Sequence, residues 1–279
     1  MQSLISKNVD LGPPLFLSSW RKVAIGTWKT VGDPSVYGCL EIDVSAALAY
    51  IEKLRQKTGL RITLSHFTGM TFAKVLKENP SINCVLRFGR LYPRKNIDIF
   101  FQVASDTTGE DLSGMTVRNA DQKTITKIAQ EIEARVNLIK QKKDTSFTKM
   151  KNLMGGLPGW ASSFILGFAG FFMYTLNLWS PLLGSPKDAF GSMMLTNIGS
   201  LGLDMAFAPL VPYSRIPLLI ALGSTYDAVV ARDGKAHITK MIRICATFDH
   251  RLIDGVKASH MVKATKRIFA NPEVELGSI

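Results

Sequence analysis

The sequence predicts an α/β (α+β) fold, a mixed sheet flanked by helices within one domain. Two observations carry this. Segments with strand alternation and segments with helical spacing interleave from about Gly38 to Ala270. The composition, 46% hydrophobic and 20% charged, is that of a globular chain with a substantial core.

Residues 1–19, with Gly12, Pro13 and Pro14, read as an irregular lead-in, and residues 20–279 read as the folded domain. Apolar and polar residues alternate from Gly38 to Val44, which predicts a strand. Ser45 is expected to be the N-cap of a helix over Ala46–Lys57 that Thr58-Gly59 closes. A second helix is predicted from Leu64 to Glu78, stopped by Asn79-Pro80 because a residue before proline disfavours helical backbone. Strands are expected around Cys84–Phe88 and Ile97–Ala104. Ile125, Ile128, Ile132, Val136 and Ile139 recur at helical spacing within Thr124–Lys142. The C-terminal third reads as strands near Ser192–Thr196, Leu218–Tyr226 and His237–Phe248, then a helix over Gly255–Ala270 ended by Asn271-Pro272. Gly234, in Arg232-Asp233-Gly234-Lys235, suits a hairpin turn between the last two strands.

One segment breaks the pattern. Asn152 to Pro186 contains no charged residue, and Trp160 to Trp179 is apolar enough to raise a transmembrane helix. A simple span would put strands of one sheet on opposite sides of a bilayer, so it is rejected. Two readings stay open for this segment and its residues Trp160, Phe164, Phe168, Phe171, Phe172 and Trp179. It is a helical hairpin dipping into one leaflet with the tryptophans at the interface, or a lid packed against protein.

The net charge of +12 suits either solvated Lys/Arg faces on helices or an anionic partner, whether nucleic acid, a membrane surface or a polyanionic small molecule, and decides nothing alone. No zinc spacing and no RNA-binding aromatic signature is present, so neither a nucleic-acid partner nor a metal is expected. Cys39, Cys84 and Cys245 lie apart, which argues against a disulfide framework and for small core residues in a reducing compartment. The N-terminus lacks a basic region followed by an apolar run. The expected location is therefore cytoplasmic, at a membrane surface if the uncharged segment enters one.

The chemistry concentrates in Phe248-Asp249-His250-Arg251-Leu252-Ile253-Asp254-Gly255, between a predicted strand and a predicted helix. Imidazole is the natural base for taking a thiol proton near neutral pH. A carboxylate at Asp254 can hold the loop by pairing with an arginine, and Gly255 permits a tight turn.

Asp-His-Arg-Leu-Ile-Asp-Gly resembles the signature of dihydrolipoyl acyltransferases, the acyl-transferring component of 2-oxoacid dehydrogenase complexes. The more general His-x-x-x-Asp-Gly core is shared with chloramphenicol acetyltransferases and condensation domains. Met194-Leu195-Thr196-Asn197-Ile198-Gly199 resembles the family's strand and turn that supply an oxyanion hydroxyl, with Thr196 at that place and Asn197 beside it. Arg21-Lys22-Val23-Ala24 and Leu40–Val44 resemble its opening helix and first strand. The likeness covers residue 20 to the C-terminus, interrupted by 146–184, which makes the uncharged segment an insertion before a catalytic strand.

The resemblance implies a chloramphenicol acetyltransferase-like, trimer-forming domain, as a homotrimer or a larger cage, with each site between subunits. His250 would be the base and Thr196 the oxyanion donor. Asp254 would orient the loop through Arg251 or another arginine such as Arg21, with Gly255 as support. Coenzyme A (as acyl-CoA) and a thiol acceptor such as dihydrolipoamide would be the substrates. With so short a stretch before Trp20, the lipoyl group is expected in trans, on a lipoylated carrier protein. Glu110 and Asp111, within the loop Thr107–Gly114, fit poorly beside coenzyme A phosphates. The alternatives are a membrane-associated acyl-CoA-dependent enzyme acting on a lipid or small-molecule hydroxyl, and a non-catalytic scaffold.

Overall fold

The computed structural model describes residues 33–104, 112–140, 159–180 and 186–277, and Ser35–Ile279 forms one compact unit. The first strand, β1, spans Ser35–Asp43 and leads into helix α1 over Ser45–Thr58. Ser45 is the first helical residue rather than the cap. Val44 holds the cap position without a side-chain bond, while the Ser45 amide donates to Asp43 Oδ1 at 2.8 Å. The expected glycine stop is Gly59, at φ 68°, whose amide donates to the Arg55 carbonyl.

Helix α2 occupies Leu64–Glu78, as the Asn79-Pro80 break predicts. A short hairpin follows, β2 (Cys84–Arg87) and β3 (Arg90–Pro93), of which β3 was not expected. The main sheet resumes with β4 (Ile99–Ala104) and β5 (Leu112–Val117), then helix α3 (Ile125–Lys140). Residues 112–114, expected as part of a loop, begin β5; residues 107–111 of that loop lie outside the described residues, as do Arg21 and the opening helix.

Helix α4 (Gly159–Gly170) runs into a π-helical turn, Phe171–Thr175. Among the described residues no helix is long and apolar enough to cross a membrane. The end of this segment packs on the protein. A Cβ on Gly170 would lie 3.2 Å from Tyr213, Tyr174 is buried, and Arg87 Nε donates to the Thr175 carbonyl at 2.8 Å. Phe164, Phe168, Phe171 and Trp179 remain exposed and Phe172 is half-buried, while the Trp160 side chain lies outside the described residues.

The last strands are β6 (Met193–Asn197), β7 (Leu218–Arg232) and β8 (Lys235–Asp249), followed by helices α5 (Gly255–Ala270) and α6 (Pro272–Leu276). The six-stranded sheet has the order β1-β8-β7-β6-β4-β5, with β7–β6 and β6–β4 parallel and the other pairs antiparallel. Alternation sorts its side chains. Ile42, Phe101, Leu195, Ile220 and Ile244 join the main core with residues of α1, α2, α3 and α5. Phe100, Met194, Leu219, Ala221 and Cys245 point to the other face, under the irregular residues 206–216.

The β7–β8 hairpin is longer than alternation implied and extends beyond the sheet, with Val229 and Ile238 paired and both exposed. Asp233 and Gly234, at φ 49° and 73°, make its tight turn. Cys84 and Cys245 are buried as expected of small core residues, but Cys39 is exposed because edge strand β1 turns it outward.

Candidate functional site

The segment after β8 is a turn held at several points, on which His250 is exposed. Strand β8 ends on Asp249, whose amide donates to the Pro217 carbonyl. The Asp249 carbonyl then receives the amides of Leu252 and Ile253, both at 2.9 Å, and these two side chains are buried. The Asp249 carboxylate, itself 7% exposed, grips Arg251. It accepts the Arg251 amide at 3.0 Å, Nε at 2.9 Å and Nη2 at 2.7 Å. Lys257 Nζ closes the far side on the Leu252 carbonyl at 2.8 Å. Buried anchors on both sides leave the imidazole between them facing outward.

Two expectations about this turn are corrected. Arg251 pairs with Asp249 rather than Asp254, because a residue two positions away on the same turn presents a carboxylate to the guanidinium edge. Asp254 instead caps α5, accepting the Lys257 amide at 2.9 Å. That backbone bond holds its carboxyl below the usual carboxylate range, assisted by the Lys257 charge. Gly255 is the first residue of α5, with ordinary negative φ and open space where a Cβ would stand, so no tight turn requires it.

Thr196 lies near the end of β6, half-buried, at the mouth of a 360 Å³ cavity between the sheet, α2 and α3. Arg61, Ser65, His66, Gln102 and Asn197 contribute polar groups to its wall. Asn197 ties the strand end in place: its Nδ2 donates to Ser65 Oγ at 3.2 Å and its Oδ1 accepts the Ser200 amide at 3.1 Å. The chain crosses itself closely here. A Cβ on Gly199 would lie 2.5 Å from the Gly223 carbonyl oxygen, and one on Gly223 would lie 2.0 Å from that of Asp204.

His66 stands at the third position of α2, and its Nδ1 accepts the Thr63 amide at 3.2 Å while the Thr63 side chain accepts the His66 amide. Burial, helped by the nearby Arg61 charge, lowers its pKa to about 4. Sequence reading passed over His66, and took Asp249 as part of the motif without seeing its grip on Arg251. The Thr63-x-x-His66 spacing, one residue type away from a capping box, was the available signal for the first.

Within one chain the two halves stand apart. Thr196 is level with Ala221 of β7, which is level with Cys245 of β8, and His250 lies five residues further along. At ~3.3 Å per residue and ~4.8 Å between strands, the two backbone positions are roughly 20 Å apart. His66 and Arg61 accompany the threonine; Asp249 and Arg251 accompany the histidine. Among the described residues no cluster of three or more His, Cys, Asp or Glu side chains could hold a metal ion.

The family model described as 2-oxoacid dehydrogenases acyltransferase (catalytic domain) matches residues 27–153 and 185–276. The lipoamide acyltransferase component of the branched-chain alpha-keto acid dehydrogenase complex of Bacillus subtilis is 25% identical over 240 residues, 85% of this chain and 46% of that protein. The dihydrolipoyllysine-residue succinyltransferase component of the 2-oxoglutarate dehydrogenase complex of Rickettsia bellii is 26% identical over 237 residues, 84% of this chain and 48% of that one. The chain thus spans about half the length of the curated relatives it matches. Among solved structures, the cubic core of the pyruvate dehydrogenase multienzyme complex superposes with a TM-score of 0.67 at 20% identity, covering 95% of this chain and 99% of that one. The dihydrolipoamide acetyltransferase of Azotobacter vinelandii gives 0.66 at 19%, with the same coverage.

Proposed function

Because this chain belongs to the family of 2-oxoacid dehydrogenase acyltransferase catalytic domains, we propose that it moves an acyl group between coenzyme A and a thiol acceptor such as dihydrolipoamide. The observation that carries the reading is the fixed turn after β8, which holds an exposed histidine between buried anchors. His250 takes the proton from the incoming thiol. The thiolate attacks the thioester carbonyl, and the Thr196 hydroxyl donates to the oxyanion of the tetrahedral intermediate. Collapse breaks the original C–S bond, and the leaving thiolate recovers the proton from the imidazolium. An oxyanion donor of this kind is worth on the order of 10²–10³ in rate.

Groups roughly 20 Å apart cannot act on one carbonyl, since reacting atoms must approach to about 3 Å. The site therefore combines His250 of one chain with Thr196 of another, in a homotrimer or a cage built from it. The exposed pair Val229 and Ile238 on the projecting hairpin supplies apolar surface for such an assembly. Arg61 at the cavity wall suits the phosphates of coenzyme A, and the polar side chains Ser65, Gln102 and Asn197 suit its amide-bearing arm. The break between the two matched segments, at 154–184, supports reading that part of 146–184 as an insertion, while 146–153 falls within the match.

The test supplies acetyl-coenzyme A and free dihydrolipoamide and separates free coenzyme A by chromatography. The natural chain should transfer, and His250→Ala and Thr196→Ala should each abolish or nearly abolish transfer. Co-expressed, the two inactive variants should regain activity, because random mixing leaves about a quarter of the sites with both natural groups. Transfer that survives in His250→Ala, or two variants that never complement, would refute the assignment. The exposed phenylalanines of α4 favour a second reading, in which the acceptor is a lipid hydroxyl. It predicts transfer to lipid vesicles without any lipoyl compound.

A further inference from the structure

A second cavity of 580 Å³ opens where the β2–β3 hairpin, the π-helical turn and residues 187–188 meet. It shares no wall residue with the cavity at Thr196. Its cations are Arg87, Arg94, Lys95 and Lys187, against the carboxylates Asp98 and Asp188. Asp98 is already engaged by Arg118 Nη1 and the Asn119 amide, both at 2.8 Å. Arg87 is spent on the carbonyls of Thr175 and Leu176.

Arg94 is different. Its side chain is only 9% exposed, and Nη1 is paired with Asp188. Its buried Nε and Nη2 have no hydrogen-bond partner. Buried donors left unpaired cost free energy, and these two nitrogens form the parallel edge of the guanidinium that receives two oxygens at once. Lys95 and Lys187 stand exposed on the cavity wall and add charge that one carboxylate would not need. The cavity is also far larger than a bare phosphate, and beside Asn96 and Asn177 its wall carries an apolar stretch of Tyr92, Leu178 and Trp179. The same segment continues back to the exposed Phe171, Phe168 and Phe164.

From these observations we propose that this cavity binds the phosphate of a phosphorylated amphiphile, with Arg94 as its buried fork and the Tyr92–Leu178–Trp179 wall against the start of the apolar chain. The site is independent of the acyl-transfer reading, since neither His250 nor Thr196 takes part. The phosphate belongs either to a lipid in a bilayer or to a free amphiphile, and the assays separate the two.

Calorimetric titration of the full chain with soluble short-chain phosphatidic acid should show saturable binding. The double variant Lys95→Glu/Lys187→Glu alters exposed residues and should fold normally by circular dichroism. Arg94→Lys keeps a charge for Asp188 but loses the fork. Each should weaken binding by about tenfold or more. Sedimentation with phosphatidylcholine vesicles containing phosphatidic acid, lost in the double variant, would identify a bilayer source. Binding of the soluble lipid without sedimentation would identify a free amphiphile. No binding by the natural chain, or equal binding by the folded double variant, overturns the site. Inorganic pyrophosphate binding as tightly as the lipid overturns the apolar half of it. Acyl transfer measured in the same proteins reports separately on the site of His250 and Thr196.

Discussion

Acidification should weaken this protein through His66 before it titrates the carboxylates. The unfolded chain carries this imidazole near its ordinary value of 6.5, whereas burial lowers it to about 4 in the fold. Above pH 6.5 both states are neutral and the group contributes nothing to the pH dependence. As pH falls toward 4, the unfolded state takes up a proton that the folded state refuses, so stability drops across that window and levels off below it. With those two values, the loss between pH 8 and pH 5 is about 2 kcal/mol. His66→Gln is the matching perturbation. A glutamine at the third helical position can still accept the Thr63 amide, so the cap survives while the titration is removed. Urea unfolding of both proteins at pH 8, 6.5 and 5 should show the natural chain losing about 2 kcal/mol more than the variant. Parallel pH profiles would refute the reasoning. So would a natural chain that gains stability on acidification, since that requires a charged His66 with a partner the structure does not give it.

Asp249→Ala should cost about 1–3 kcal/mol, because the bonds from the Arg251 amide and guanidinium to this buried carboxylate are lost, and it should lower kcat more than KM by freeing the turn that holds His250. Asp254→Asn, which can still cap α5, should leave both stability and transfer close to those of the natural chain. Asp254→Ala should lower the Tm, and a collapse of kcat in the folded asparagine variant would instead assign the carboxylate to the chemistry. Gly223→Ala should be destabilised by about 1–3 kcal/mol, because its methyl must displace the Asp204 backbone. Thermal unfolding within a degree of the natural chain would show that this crossing is looser than the 2.0 Å approach implies.

The helices over Leu64–Glu78 and Gly255–Ala270 were legible because proline stops and apolar spacing agree there. Strands β3 and β5 were not. Arg90–Pro93 is exposed throughout, so no alternation marks it, and Leu112–Val117 begins in a polar stretch that reads as loop. The motif located His250 and Thr196, but their separation emerges only from strand register, which pattern along one strand does not encode. The choice between Asp249 and Asp254 as partner of Arg251 was equally hidden. Both carboxylates lie within three residues of the guanidinium, and the start of α5 decides between them by claiming Asp254 as its cap. The uncharged segment was visible as a run without charge, whereas the cationic cavity beside it depends on Arg94 and Asp188, distant in sequence from each other.

The register across β6, β7 and β8 also has a kinetic consequence. With His250 and Thr196 in the proposed roles, a chain that keeps them apart contains half of two sites and the whole of none. On the proposed assignment, specific activity is then a function of protein concentration. Progressive dilution below the dissociation constant of the assembly should silence the reaction with higher-order dependence on chain concentration, while every individual fold stays intact. The thermodynamics of contact between copies, set by surfaces such as the β7–β8 hairpin, would govern turnover as directly as the basicity of the imidazole does.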